Sequence, residues 1–199
     1  MKIIGITGGV GSGKSLVLSY MEQRFGAIIC QADHVAWELQ KPGEECYQKI
    51  VAHFGKEILN EDLTINRKTL GKIVFSDEGE LLYLNRITHP AVKIEIQKQI
   101  ARARKTGAGL FVLEAALLIE EHYDEICDEL WYIYTDRKIR RERLKVSRGY
   151  RDEKIDAIMA SQLSDKVFVE KCQRVIYNSG EFEETKKQLE EAIKILGEK

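Results

Sequence analysis

The sequence predicts an α/β protein built on a five-stranded parallel sheet with helices on both faces. Three observations predict it. Short apolar runs suited to buried strands alternate with longer helical stretches, the pattern of a parallel sheet. The first run, M-K-I-I-G-I-T, leads into Gly8-Gly9-Val10-Gly11-Ser12-Gly13-Lys14-Ser15, which fits G-x-x-x-x-G-K-[ST]. A long strand-free stretch then interrupts the alternation, and the most basic part of the chain follows the fourth run.

The glycine-rich segment suits phosphate binding. Its successive backbone N–H groups can cradle phosphate oxygens, and the helix after it turns its positive end toward the anion. The expected nucleotide-holding positions are Gly8, Gly9, Val10, Gly11, Ser12, Gly13, Lys14, Ser15 and Leu16. Lys14 is placed to neutralise the β/γ-phosphates, and the Ser15 hydroxyl to ligate Mg²⁺. Leu16, Val17, Leu18 and Met21 supply the apolar side of the following helix, expected over residues 15–24 and stopped near Gly26.

The totals fit one core domain with an insertion. The chain has 199 residues, 44% of them hydrophobic, enough for a sizeable core. Its net charge of −1 favours neither nucleic acid nor an anionic membrane. The four cysteines form no C-x-x-C pair and no zinc spacing. With no secretory signal and no run long enough to span a membrane, reduced thiols in a cytoplasmic protein are expected. No nucleic-acid or membrane partner is expected, and the protein is expected to be a monomer or weak homo-oligomer.

A second strand is expected at 27–30, and it is expected to lie beside the first. Asp33 follows its C-terminal end, where open parallel sheets bind ligands. A helix at 34–40 ends at Lys41-Pro42-Gly43. Residues 44–104 read as helical, with breaks at Gly55, near 60–66, at Gly79 and at Thr88-His89-Pro90. Pro90 is expected to open a helix over 91–105. A βα crossover needs only about a dozen residues, so residues 37–106 read as an inserted helical subdomain. The third strand, 110–113, ends on Glu114. The fourth, 130–134, is aromatic and β-branched. Helices at 152–162 and 181–196 flank a fifth strand at 175–177. The core is thus expected at 1–36, 107–136 and 170–199, with a lid at 137–169.

Three features bear on chemistry. A carboxylate at Asp33 could hold and deprotonate an acceptor hydroxyl; the alternative is a helix N-cap. Glu114 ends a buried strand, a position from which a carboxylate binds Mg²⁺ directly or through water; the alternative is a solvated strand-end acid. The run 137–151 holds Arg137, Lys138, Arg140, Arg141, Arg143, Lys145, Arg148 and Arg151 against only Asp136 and Glu142. Arginine forks stabilise charge on a transferred phosphoryl group. Arg140 and Arg143, like Arg148 and Arg151, are three apart and can share a helix face. The alternatives are a solvated face or a nucleic-acid patch. His89, before Pro90, reads as a helix cap or a substrate contact.

Over nearly its whole length the chain resembles the dephospho-CoA kinase family. Ile4 to Ser15 is similar to that family's opening, and Gln31-Ala32-Asp33 to its D-A-D. Leu84-Asn85-Arg86-Ile87-Thr88-His89-Pro90 resembles L-N-x-I-x-H-P, and Glu114-Ala115-Ala116-Leu117-Leu118-Ile119-Glu120 resembles D-x-P-L-L-F-E. Arg143-Leu144, Arg148 and Gln162 are similar to the lid positions, and Asn178-x-Gly180 to an N-x-G near adenine. The departures are Gln31 and Glu114 for Asp, Ala116 for Pro, Ile119 for Phe, Arg140 for Gln, Ile158 for Arg, and Gln173-Arg174 for Ala-Asp.

The resemblance implies a three-layer P-loop kinase fold with an inserted helical substrate domain and an arginine-rich lid. It implies ATP and Mg²⁺ as cofactors and dephospho-CoA as the acceptor, phosphorylated on its ribose 3′-hydroxyl with Asp33 as base. Arg143, with Arg140 or Arg148, would close on the transferred group. Asn178 and Gly180 would lie near the adenine of ATP, and Arg67 and His89 would help hold the acceptor. The competing readings are a P-loop kinase for a nucleoside monophosphate-like acceptor, and a nucleotide-dependent RNA-binding or switch module. The absence of an N-K-x-D pattern argues against the last.

Overall fold

The structure is a computed structural model that describes residues 1–198; Lys199, the last residue of the expected core, lies outside them. The elements run β1 (Lys2–Thr7), α1 (Lys14–Phe25), β2 (Ile28–Gln31), α2 (Ala32–Leu39), α3 (Glu45–Phe54), α4 (Arg67–Ser76), α5 (Glu78–Lys105), β3 (Leu110–Glu114), β4 (Glu129–Tyr134), α6 (Arg137–Arg148), α7 (Asp152–Ala160), α8 (Asp165–Lys171), β5 (Arg174–Tyr177) and α9 (Phe182–Gly197). The chain divides into two units: Met1–Ile29 with the segment from Ala103 on, and Cys30–Arg102.

The five strands form one sheet in the order β2-β3-β1-β4-β5. β1 pairs in parallel with β3 on one side and β4 on the other, and β4 pairs in parallel with β5. This corrects the expectation that the second strand lies beside the first. The reason is apolarity. Every residue of β3 is buried, as an inner strand requires, whereas β2 has four residues and exposes two of them, which suits an edge. In the first unit Ile4, Ile6, Val112, Trp131 and Ile133 pack with Val17, Met21, Leu189 and Leu196 from α1 and α9.

The second unit has its own core of Cys46, Ile50, Phe54, Ile58, Leu70 and Val74. Asn66 caps α4 by accepting a hydrogen bond from the Thr69 N–H at 3.0 Å. The sequence expects a break at Thr88-His89-Pro90 and a new helix from Pro90; instead α5 runs unbroken through all three, with Gly79 in its first turn. Proline removes one intrahelical bond and costs about 3 kcal/mol. Burial of Thr88, Val92, Ile96 and Ile100 along one side offsets that cost, and the Thr88 hydroxyl donates to the Leu84 carbonyl at 2.8 Å. His89 is therefore a mid-helix residue and not a cap.

The basic run also differs from expectation. α6 ends at Arg148, Gly149 adopts the left-handed conformation, and Arg151 is the residue before α7, so Arg148 and Arg151 share no helix face. α7 stops at Ala160, leaving Gln162 in the following turn. α8 has no counterpart in the sequence reading. Ser164 caps it, and buried Phe168 stacks on Tyr132 with ring centroids 4.7 Å apart.

Candidate active site

β1 ends at Thr7, and the chain then turns through the glycine-rich loop into α1. Gly13 precedes the helix with φ of +85°, a left-handed conformation natural to glycine. The helix gains no capping side chain there. The positive end of the helix thus faces the loop, the arrangement that binds anions. The Lys14 ammonium donates to the Gly8 carbonyl at 2.7 Å. Glu114 is 9% exposed at the end of β3, level with Ile6 of β1, and its Oε1 is 3.6 Å from Lys14 Nζ. This settles the surroundings of Glu114: it is a buried carboxylate beside the phosphate-loop lysine and not a solvated acid. Ser15 and Leu16 are exposed at the start of α1.

The loop is held from behind by groups that the strand ends supply. The Ser12 carbonyl accepts from Thr135 Oγ1 at 2.9 Å, Asn178 Nδ2 at 2.7 Å and Arg143 Nη1 at 3.4 Å. Asn178 is fixed in turn, since its Oδ1 accepts from Thr185 Oγ1 at 3.0 Å. Arg143 Nη2 donates to the Asn178 carbonyl at 3.0 Å. The hydroxyls of Thr7 and Ser12 are buried at the root of the loop without a hydrogen-bond partner. Sequence reasoning singles out neither Thr135 nor Thr185. The position of Thr135, one residue past β4, is the signal that could have found it.

Arg140 is 7% exposed and lies against the loop. Its Nε donates to the Val10 carbonyl at 2.9 Å, and its Nη2 to Gln162 Oε1 at 2.9 Å. The same Gln162 oxygen accepts from the Val10 N–H at 3.1 Å. Both backbone groups of Val10 are therefore tied, one to α6 and one to the turn after α7. Asp165 Oδ1 accepts from Tyr132 Oη at 2.5 Å and lies 3.9 Å from Arg140 Nη1. Burial and Asp165 together push the Tyr132 phenol up, so it stays a donor.

The Arg140 guanidinium occupies the space that a Cβ on Gly9 would fill. Gly9→Ala is therefore expected to displace either the guanidinium or the loop and to weaken nucleotide binding by about tenfold, the worth of one or two hydrogen bonds. Calorimetric titration with ATP checks this, and an unchanged affinity would show that Arg140 can move at no cost.

The remaining basic residues are placed elsewhere. Arg141 bonds Asp152 at 2.5 Å and also Asp156, and Lys145 pairs with Asp152 at 2.9 Å. The opposing acids absent from the run itself thus come from α7. Arg148 is exposed beside the Tyr150 ring, 5.9 Å from its centroid, and is not brought to the loop. Gly180 is exposed beyond β5. Burial pushes the thiols of Cys30, Cys127 and Cys172 up to about 12, which keeps them protonated.

Within the second unit, Asp33 is exposed in the first turn of α2, an acid favourable to the helix dipole. Gln31 is the N-cap residue, so the alternative reading of Asp33 as a cap does not hold. The Arg67 guanidinium sits over the Trp37 ring, 4.9 Å from its centroid. His89 is half-buried in α5.

A strand, phosphate loop and helix with a buried strand-end carboxylate beside the loop lysine define a P-loop phosphotransferase. The model of the family described as dephospho-CoA kinase matches residues 2–184. The chain is 42% identical to the dephospho-CoA kinase of Carboxydothermus hydrogenoformans over 95% of its own length and 91% of that protein. It is 38% identical to the one from Geobacter sulfurreducens over 96% of each. Among solved structures it is similar to TT1252 from Thermus thermophilus, with a TM-score of 0.82 and 25% identity over 98% and 97% of the two chains. A shikimate kinase from Acinetobacter baumannii, at 13% identity and a TM-score of 0.58 over 98% of this chain and 93% of that one, shares the fold. The chain belongs to the dephospho-CoA kinase family.

Proposed function

We propose that this protein transfers the γ-phosphoryl group of ATP to the ribose 3′-hydroxyl of dephospho-CoA, giving CoA and ADP. The observation that carries this reading is the family match over residues 2–184 together with the Glu114–Lys14 pair at the phosphate loop. The 3′-oxygen attacks the γ-phosphorus, the bond to the β,γ-bridging oxygen breaks, and the hydroxyl proton passes to Asp33. Lys14 and the loop N–H groups hold the ATP phosphates, with Asn178 and Gly180 toward the adenine. Arg143, already at the loop, stabilises charge on the transferred group, and Arg140 holds the loop at Val10. Arg148 would join only if the α6–α7 turn closed. Arg67 and His89 belong to the acceptor side.

The reaction also calls for Mg²⁺ beside the ATP phosphates. Among the described residues no group of three or more His, Cys, Asp or Glu could hold a metal ion. By their places at the phosphate loop and the end of β3, Ser15 and Glu114 would hold it, directly or through water, with phosphates completing its shell. When bound it would neutralise phosphate charge. The division into core (1–36, 107–136, 170–199), acceptor subdomain (37–106) and lid (137–169) is part of this reading. No helix is long and apolar enough to cross a membrane among the described residues; a cytoplasmic monomer or weak homo-oligomer that takes no nucleic acid remains the expectation.

An acceptor panel tests the reading. ADP formation should depend on dephospho-CoA and yield a 3′-phosphorylated product. Phosphorylation of a nucleoside monophosphate in its place, with dephospho-CoA left untouched, would overturn it.

A further inference from the structure

Trp37 is a large aromatic ring that the fold leaves 52% exposed. It lies on α2 four residues after Asp33, so the two side chains share one helix face with their Cβ atoms about 5–6 Å apart. Arg67, at the first position of α4, reaches back to place its guanidinium over the same ring at 4.9 Å. The only other tryptophan, Trp131, is fully buried in the core of the first unit. A carboxylate and an aromatic plane on α2 thus meet a cation from α4. The core of the unit is built from Ile50, Phe54, Ile58, Leu70 and Val74, and Trp37 is not among them.

We propose that Trp37 is a stacking surface for the adenine ring of the acceptor, with Arg67 beside it for the acceptor's 5′-diphosphate. This rests on the proposed reaction and on Asp33 as its base. The match is one of lengths. In a nucleoside the base and the 3′-hydroxyl are substituents of one ribose ring, separated by about the distance between side chains one helical turn apart. A ribose with its 3′-hydroxyl at Asp33 therefore has its base within reach of Trp37. Stacking a base on an aromatic side chain is worth about one to three kcal/mol, roughly five- to 150-fold in affinity. The contact would select an adenosine-bearing acceptor over a free pantetheine phosphate, since only the former has a ring to stack.

The two tryptophans make the test direct. Dephospho-CoA titrated into the intact protein is expected to quench the exposed-tryptophan fluorescence with saturation, and 4′-phosphopantetheine, which lacks the base, is not. Trp37→Ala is expected to raise the KM for dephospho-CoA about tenfold while leaving the KM for ATP within about twofold, with turnover recovered at saturating acceptor. Trp37→Phe, which keeps a ring, is expected to recover most of the affinity. A purely structural role would show equal losses for both substrates and no ligand-dependent quenching. If dephospho-CoA is phosphorylated but Trp37→Ala leaves its KM and the fluorescence response unchanged, the stacking surface is wrong and the reaction stands. If dephospho-CoA is not phosphorylated by the unaltered protein, both fall.

Discussion

Asp33→Asn is expected to lower dephospho-CoA-dependent ADP formation by about 10²–10⁴-fold, the usual range for loss of a positioned general base. The substitution keeps the size and the hydrogen-bonding reach of the side chain and removes its ability to take a proton. Asp33 is exposed in the first turn of α2 and supplies no cap, so the fold has little at stake there. The loss of its favourable interaction with the helix dipole costs about 0.3–1 kcal/mol. ATP affinity and the far-ultraviolet circular dichroism spectrum should therefore stay near those of the unaltered protein while kcat falls. Normal turnover by Asp33→Asn would remove Asp33 from the base role and direct attention to another carboxylate. Loss of ATP binding as well would mean that the residue acts on the donor side.

The phosphate loop, the strands and the family were legible because each rests on local pattern. A glycine spacing and apolar runs can be read from neighbouring residues alone. Strand order was not legible in the same way. Which strand lies beside β1 depends on how completely each one is buried, and the four-residue β2 loses the inner place to the fully buried β3. Pro90 misled for a related reason. Its local cost is real, but it is offset by burial of side chains on both sides of it, and that gain lies in tertiary contacts. The basic run shows the difference most plainly. Eight cations in fifteen positions read as one lid surface, yet the fold sorts them individually. Arg140 and Arg143 go to the loop, Arg141 and Lys145 to acids of α7, and Arg148 to the Tyr150 ring. The charge of such a run is written in its residues, and only packing assigns each one its partner.

Glu129→Ala is expected to destabilise the first unit by about 3 kcal/mol. Glu129 is 6% exposed on β4, and its Oε2 accepts from Arg174 Nε at 2.7 Å and from the Trp131 indole N–H at 3.0 Å. Removing the carboxylate leaves a largely buried guanidinium and a buried indole N–H without this acceptor, which costs more than the pair contributes. The pair also accounts for one departure from the family pattern. Where Ala-Asp is the usual dipeptide, this chain has Gln173-Arg174; Gln173 Oε1 accepts from the Leu130 N–H at 2.6 Å, and Arg174 answers Glu129 across the β4–β5 pairing. The two strands so joined lead directly into Thr135 and Asn178, the residues that hold the Ser12 carbonyl. The expected drop in thermal midpoint is roughly 6–12 °C, read by calorimetry. Glu129→Gln, which keeps an acceptor oxygen and loses the charge, should fall by less than half as much. If Glu129→Ala melted with the unaltered protein, the pair would be a bystander, and the rigidity of the strand ends would have to come from the apolar packing of Trp131 and Ile133 alone.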